Sequence, residues 1–164
     1  MFSIGFTGKP LEYPYDDISI PAAPGVLWLG NTFEEFLANV SIWDKSGYEA
    51  HWTRELTALL KGAPKVALIV SFNDPKAAST MEIWRLYRDG EWVHFQNQLL
   101  SYSSLPPEFE VSAISQYISD RVEVNDEGSR VSEWNVALRA IELFLHRLEG
   151  GQGQLRLPVP SRGL

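Results

Sequence analysis

Met81-Glu82-Ile83-Trp84-Arg85-Leu86-Tyr87-Arg88-Asp89-Gly90-Glu91-Trp92-Val93-His94-Phe95-Gln96-Asn97-Gln98-Leu99-Leu100 is the stretch on which the fold turns. Asp89-Gly90 is a strong two-residue hairpin signal, because the favoured turns need positive φ, which Gly supplies freely. Two antiparallel strands are therefore predicted, over 81–88 and 92–100. Strand alternation puts Ile83, Arg85 and Tyr87 on one face, with Trp84 and Leu86 on the other. Both faces carry apolar groups, so both are expected to be partly covered.

The elements around this hairpin follow from period and punctuation. Upstream, residues 65–72 form a continuous apolar run that suits a central strand. A helix is predicted over 47–61: Ser46 and Glu49 have capping-box spacing, Trp52, Leu56, Leu59 and Leu60 share a face, and Gly62 and Pro64 stop it. Phe33, Phe36, Leu37 and Val40 follow helical spacing, which predicts a short helix over 33–40 with Glu34 and Glu35 in its first turn. Extended pieces are expected at 2–6 and 26–29, with an irregular acidic and aromatic loop over 11–17.

Downstream, Pro106 and Pro107 mark a loop, residues 111–119 fit either helix or strand, and Asp126-Glu127-Gly128 reads as an exposed turn. The last helix is predicted over 133–149. Ser132 is its N-cap, Val131 and Val136 a hydrophobic staple, and Trp134, Leu138, Ile141, Leu145 and Leu148 its apolar stripe. Beyond it, Gly150-Gly151-Gln152-Gly153-Gln154 reads as a flexible linker, with Pro158 and Pro160 holding the rest extended. The order predicts an α+β domain over 1–149, with helices packed on a mostly antiparallel sheet and a closing C-terminal helix. Residues 150–164 are expected to form a Gly/Pro-rich tail.

Composition narrows the function classes. The 164 residues are 45% hydrophobic and 21% charged, as expected of one globular domain. Cysteine is absent, which excludes disulfides, thiolate zinc sites, iron–sulfur clusters and a Cys nucleophile. The net charge is −7. Arg156 and Arg162 are the only charged residues after Glu149, so the expected domain is more acidic still. That disfavours a direct nucleic-acid binder, which needs clustered Lys and Arg. Neither a signal peptide nor a span of ~20 apolar residues is visible, so a cytoplasmic location without membrane contact is expected.

Catalytic signatures are lacking. His51, His94 and His146 fall in no metal-ligand spacing, and packing or surface roles are expected for each. Gly-x-Ser-x-Gly does not occur, and the only Gly-rich run follows a helix instead of preceding one. No catalytic residue, cofactor or metal is therefore expected. Asp16-Asp17 and Asp126-Glu127 are either solvated loop charges or parts of an acidic docking surface. Trp84, Tyr87, Trp92, Phe95 and Tyr102 are either sheet packing or an aromatic contact surface. With His94, the second option would suit a small enzyme or ligand-binding protein with an aromatic-lined pocket.

Phe2-Ser3-Ile4-Gly5-Phe6 followed by Pro10-Leu11-Glu12-Tyr13-Pro14-Tyr15-Asp16-Asp17 resembles the opening of bacterial contact-dependent growth inhibition immunity proteins. The resemblance continues through Leu29-Gly30, Trp52, Ala67-Leu68-Ile69, Trp84-Arg85-Leu86-Tyr87-Arg88, Gln96-Asn97-Gln98-Leu99-Leu100 and Val131-Ser132-Glu133-Trp134. It spans about residues 2–145. It implies a non-enzymatic cytoplasmic protein that binds and blocks the C-terminal domain of a cognate toxin, often a nuclease. It supplies no catalytic residues, and contact residues vary between pairs. Charge complementarity makes the acidic loops the expected meeting points. These are Glu12, Asp16 and Asp17 with Tyr13 and Tyr15 as aromatic anchors, and Glu123, Asp126 and Glu127 before the last helix.

Overall fold

A computed structural model describes residues 1–152. β1 (Phe2–Phe6), β2 (Leu11–Tyr15), β3 (Ile18–Leu29) and β4 (Thr32–Asn39) form the first antiparallel sheet. The long β3 is its spine. β1 and then β2 pair along one edge of β3, and β4 along the other. After α1 (Lys45–Leu60), a second antiparallel sheet follows in the order β5 (Lys65–Ser71), β6 (Thr80–Asp89), β7 (Trp92–Ser101) and β8 (Trp134–Ala137). α2 (Leu138–Arg147) closes the fold, and a last helical turn covers Leu148–Gln152. The expected tail beyond residue 152 lies outside the described residues.

The hairpin forms, with Asp89 opposite Trp92, so its two turn residues are Gly90-Glu91, one position on from the expected Asp89-Gly90, and Gly90 takes φ +60°. Its two faces are both covered. Trp84, Leu86 and Phe95 face the first sheet and the helices, where Phe2 of β1 meets Phe95 at 5.6 Å and Phe144 of α2 at 5.3 Å. The opposite face lies under the segment between β7 and β8, which buries Leu105, Ile114 and Ile118. On that side Tyr87 Oη donates to Ser119 O and Gln96 Nε2 to Val122 O. Residues 111–116 there are a kinked 3-10 helix, which resolves the open reading of that stretch.

Several local expectations are corrected. Residues 33–40 are strand, not helix. Leu29-Gly30-Asn31-Thr32 is a two-residue turn with Gly30 at φ +70°, and β4 folds straight back on β3. Phe36 and Ala38 are buried while Phe33 and Leu37 are exposed, so apolar groups on both faces of a strand imitate helical spacing. Phe36 lies across Gly25, where a Cβ would stand 2.3 Å from its ring. Residues 11–15, expected as loop, pair with β3.

The α1 cap is Asp44, whose Oδ1 accepts from Gly47 N at 2.8 Å, and not Ser46. Residues 134–137, expected as helix, are β8. Their pairing with Trp92–Phe95 delays α2 to Leu138, so Ser132 caps nothing and Val131 and Val136 form no staple. The stripe still works: Leu138, Ile141 and Leu145 are buried, joined by Phe144, and strand alternation turns Trp134 toward Trp84.

β5 is the outer strand of its ladder, not a central one. Its outward amides bond to side chains, which hides an edge that would otherwise invite pairing. Ile69 N–H donates to His51 Nε2 (2.9 Å), Ala67 N–H to Ser115 Oγ (2.9 Å), and Trp52 Nε1 donates to Ile69 O (2.7 Å). Just past the strand, Phe72 N–H donates to Tyr48 Oη at 2.8 Å.

Candidate functional site

A cleft of about 440 Å³ opens where the end of the first sheet meets the second. It is lined by Glu34 and Glu35 of β4, Glu82 and Trp84 of β6, Asn97 of β7, and Val131, Ser132 and Trp134 at β8. The register explains the convergence. Trp84 pairs with Asn97, Phe95 pairs with Trp134, and Glu82 lies two residues from Trp84 on the same face. The indoles of Trp84 and Trp134 meet edge to face, with ring centroids 5.3 Å apart.

Asn97 Nδ2 donates to Glu82 Oε1 at 3.3 Å. Among the described residues no Lys, Arg or His forms an ion pair with Glu34 or Glu82. Burial pushes the Glu82 carboxyl above its ordinary pKa; the Asn97 bond opposes the shift, and the Glu34 charge adds to it. Glu133, between Ser132 and Trp134, points to the other face of the sheet. There Arg121 holds it through two bonds of 2.8 and 2.7 Å, keeping its carboxyl below the usual range. The strand thus sends its paired acid one way and its indole the other.

The expected site residues occupy two separate surfaces. Asp16 and Asp17 are exposed at the β2–β3 turn, with Asp16 at φ +50°. Glu12 is exposed and accepts from Ser19 Oγ at 2.7 Å. Tyr13 is half-buried. Tyr15 ends β2, and its side chain lies outside the described residues. The second set lies on a small ribbon closed by the Val124–Arg130 bridge. Asp126 and Glu127 are exposed at its tip, and Glu123 pairs with Arg121 at 3.2 Å.

Only the second set adjoins the cleft: Glu123 O accepts from the N–H of Val131, a cleft residue. In the first set Glu12 lies opposite Pro21, while Asp16 and Asp17 lie beyond Ile18, nine strand residues from Leu27, which pairs with Glu34. That is about 30 Å along β3. Sequence reading missed the cleft because Glu34 and Glu35 fit a helix dipole, and nothing local links them to Glu82 or Trp134.

The aromatic-pocket alternative loses its premise, since the register divides those side chains. Phe95 is in the core, Trp92 is 54% exposed, and Tyr87 and His94 lie on the other face. A smaller cavity of about 300 Å³ there includes Tyr87, His94 and Arg121. Its acids have partners: Lys65 pairs with Asp120 at 2.8 Å, and Asp89 Oδ2 lies 3.2 Å from His94 Nε2. Among the described residues no group of three His, Asp or Glu is placed to hold a metal. Among the described residues no helix is long and apolar enough to cross a membrane.

Residues 38–144 match the family model described as the CdiI N-terminal domain. The chain belongs to that family. It is 26% identical over 148 residues to "Immunity protein CdiI" of Enterobacter cloacae subsp. cloacae, covering 90% of this chain and 99% of that relative. The fold is likewise similar to a chain of the solved CdiA-CT/CdiI toxin and immunity complex from Enterobacter cloacae. The TM-score is 0.80 at 26% identity, covering 92% of this chain and 99% of that one. Within the CdiI N-terminal domain match lie Glu82, Trp84, Asn97, Trp134 and the ribbon acids Glu123, Asp126 and Glu127. The hairpin acids Glu12, Asp16 and Asp17 precede it.

Proposed function

We propose that this chain is a non-enzymatic immunity protein of a contact-dependent growth inhibition system. It binds the C-terminal toxin domain of its cognate effector in the cytoplasm and blocks it by occupying its working surface. The observation that carries this reading is the likeness, over nearly its whole length, to the immunity chain of a toxin and immunity complex.

The charge supports a nuclease as the toxin. A nuclease domain holds phosphates with basic groups, and an inhibitor of net charge −7 is drawn to such a surface at long range. Capture must precede cleavage, and steering raises the association rate by about 10–10³-fold. The proposed contacts are the two acidic loops, Glu12, Asp16 and Asp17 with Tyr13 and Tyr15, and Glu123, Asp126 and Glu127. Their separation lets them be tested one at a time.

The test is titration calorimetry of the purified chain against a catalytically inactivated C-terminal domain from the toxin gene beside it, with a nucleic-acid cleavage assay of the active domain. Stoichiometric binding with loss of cleavage is expected. Absence of binding would overturn the reading, and binding with inhibition of a non-nuclease activity would overturn only the nuclease part.

A further inference from the structure

We propose that the cleft between Glu34 and Glu82 is the receptor for one cationic side chain, an arginine or lysine, presented by the toxin domain. This deepens the immunity reading and rests on it. Three observations converge. The cleft is a real recess of about 440 Å³, within the range of about 300–1,000 Å³ typical of ligand sites. Trp84 and Trp134 line it edge to face, and the half-buried Trp134 offers the indole, the strongest aromatic partner for a cation. Glu34 and Glu82 repel one another there, with no Lys, Arg or His paired to either among the described residues, so an incoming positive charge removes a cost that these two carboxylates bear.

Asn97, across the strand pair from Trp84, supplies an amide beside the carboxylates. A planar guanidinium can stack on an indole while its fork reaches a carboxylate, which makes arginine the better fit of the two. The ribbon that carries the exposed Asp126 and Glu127 joins the cleft through the Glu123–Val131 backbone hydrogen bond, and these tip acids add to the field that draws a cationic partner.

The experiment compares the full chain with Glu34→Gln/Glu82→Gln and, separately, Trp134→Leu. The probe is the inactivated toxin domain, measured by calorimetry at low and high salt, with thermal melts of each free variant. The double variant is expected to melt no lower than the parent, since a repulsion is relieved, and to bind at least about 30-fold more weakly at low salt. The deficit should shrink at high salt. Trp134→Leu should weaken binding with an unchanged salt slope. Should the double variant misfold, Glu34→Gln alone carries the same salt test. If the parent binds and the Glu variants bind equally tightly with the parent's salt slope, the cleft proposal is overturned and the immunity reading stands. If the parent itself does not bind, it is the immunity reading that fails.

Discussion

Lowering the pH from 7 to 5 should cost this fold about 2 kcal/mol through one side chain, His51. Its Nε2 accepts the N–H of Ile69 at 2.9 Å, on the outer edge of β5. A backbone N–H only donates, so Nε2 must carry the lone pair and Nδ1 the proton. The 3.3 Å approach of Arg54 Nη2 to Nδ1 then sets donor against donor and is not a hydrogen bond. His51 is 2% exposed. Burial first, and the Arg54 charge second, push its pKa from 6.5 down to about 3.

A depressed histidine is one the folded state keeps neutral. Its contribution is intact above pH 6.5 and is lost as the pH falls from there toward 3, at about 1.4 kcal/mol per unit once the unfolded chain protonates. The comparator is His51→Gln, which keeps an acceptor oxygen and cannot titrate. Urea unfolding of both proteins at pH 7, 6 and 5, followed by Trp fluorescence, gives two pH slopes. The parent should lose about 2 kcal/mol more than the variant across that range. His94, His146 and the carboxylates act alike in both chains and cancel in the difference. Parallel slopes, differing by less than about 0.5 kcal/mol in total, would show that His51 does not hold the edge of β5 in its neutral form.

Three further outcomes are expected. Ile141→Ala should lower the unfolding free energy by about 2–5 kcal/mol, because Ile141 is fully buried under α2; a loss below about 1 kcal/mol in denaturant titration would place the stripe elsewhere. Gly25→Ala should cost about 1–3 kcal/mol, since the new Cβ would meet the Phe36 ring at 2.3 Å, and Phe36→Leu in the same chain should restore much of it. Triple Asn/Gln variants of Glu12, Asp16 and Asp17, and of Glu123, Asp126 and Glu127, should bind the toxin domain with slower association and a shallower salt dependence. If both fold and bind as the parent does at two salt concentrations, the toxin docks elsewhere than on these loops.

How much of this was legible in the sequence depended on where the deciding contact lay. The β6–β7 hairpin was readable because its turn is local and the positive φ at Gly90 is a specific demand, although the turn residues are Gly90-Glu91 and not Asp89-Gly90. α1 was readable to within two residues at its start because one face and a Gly-Ala-Pro stop mark it, although Asp44 rather than Ser46 caps it. β4 was not, because Phe33, Phe36 and Leu37 satisfy both a helical stripe and a strand buried on one side and half-covered on the other. The arbiter was Gly30-Asn31, a turn of the same kind as Gly90-Glu91, whose pairing places Thr32 against Leu29. β8 had no such local arbiter. Trp134-Asn135-Val136-Ala137 is too short for periodicity to settle, and only pairing with Trp92–Phe95, some forty residues earlier, makes it a strand.

That same pairing builds the cleft. Had 133–149 been one helix, Glu133 and Trp134 would lie a helical step apart on one surface, and Glu133 could not reach Arg121 behind the sheet while Trp134 reached Trp84 in front of it. Strand alternation separates them: the acid is neutralised on the far face, and the indole joins Glu34 and Glu82 on the near one. The acidic character visible in the composition is therefore divided by the fold into paired and unpaired charge. The unpaired share at the cleft is the part that can supply binding energy to a cationic partner, because a carboxylate already satisfied by Arg121 has little further to gain.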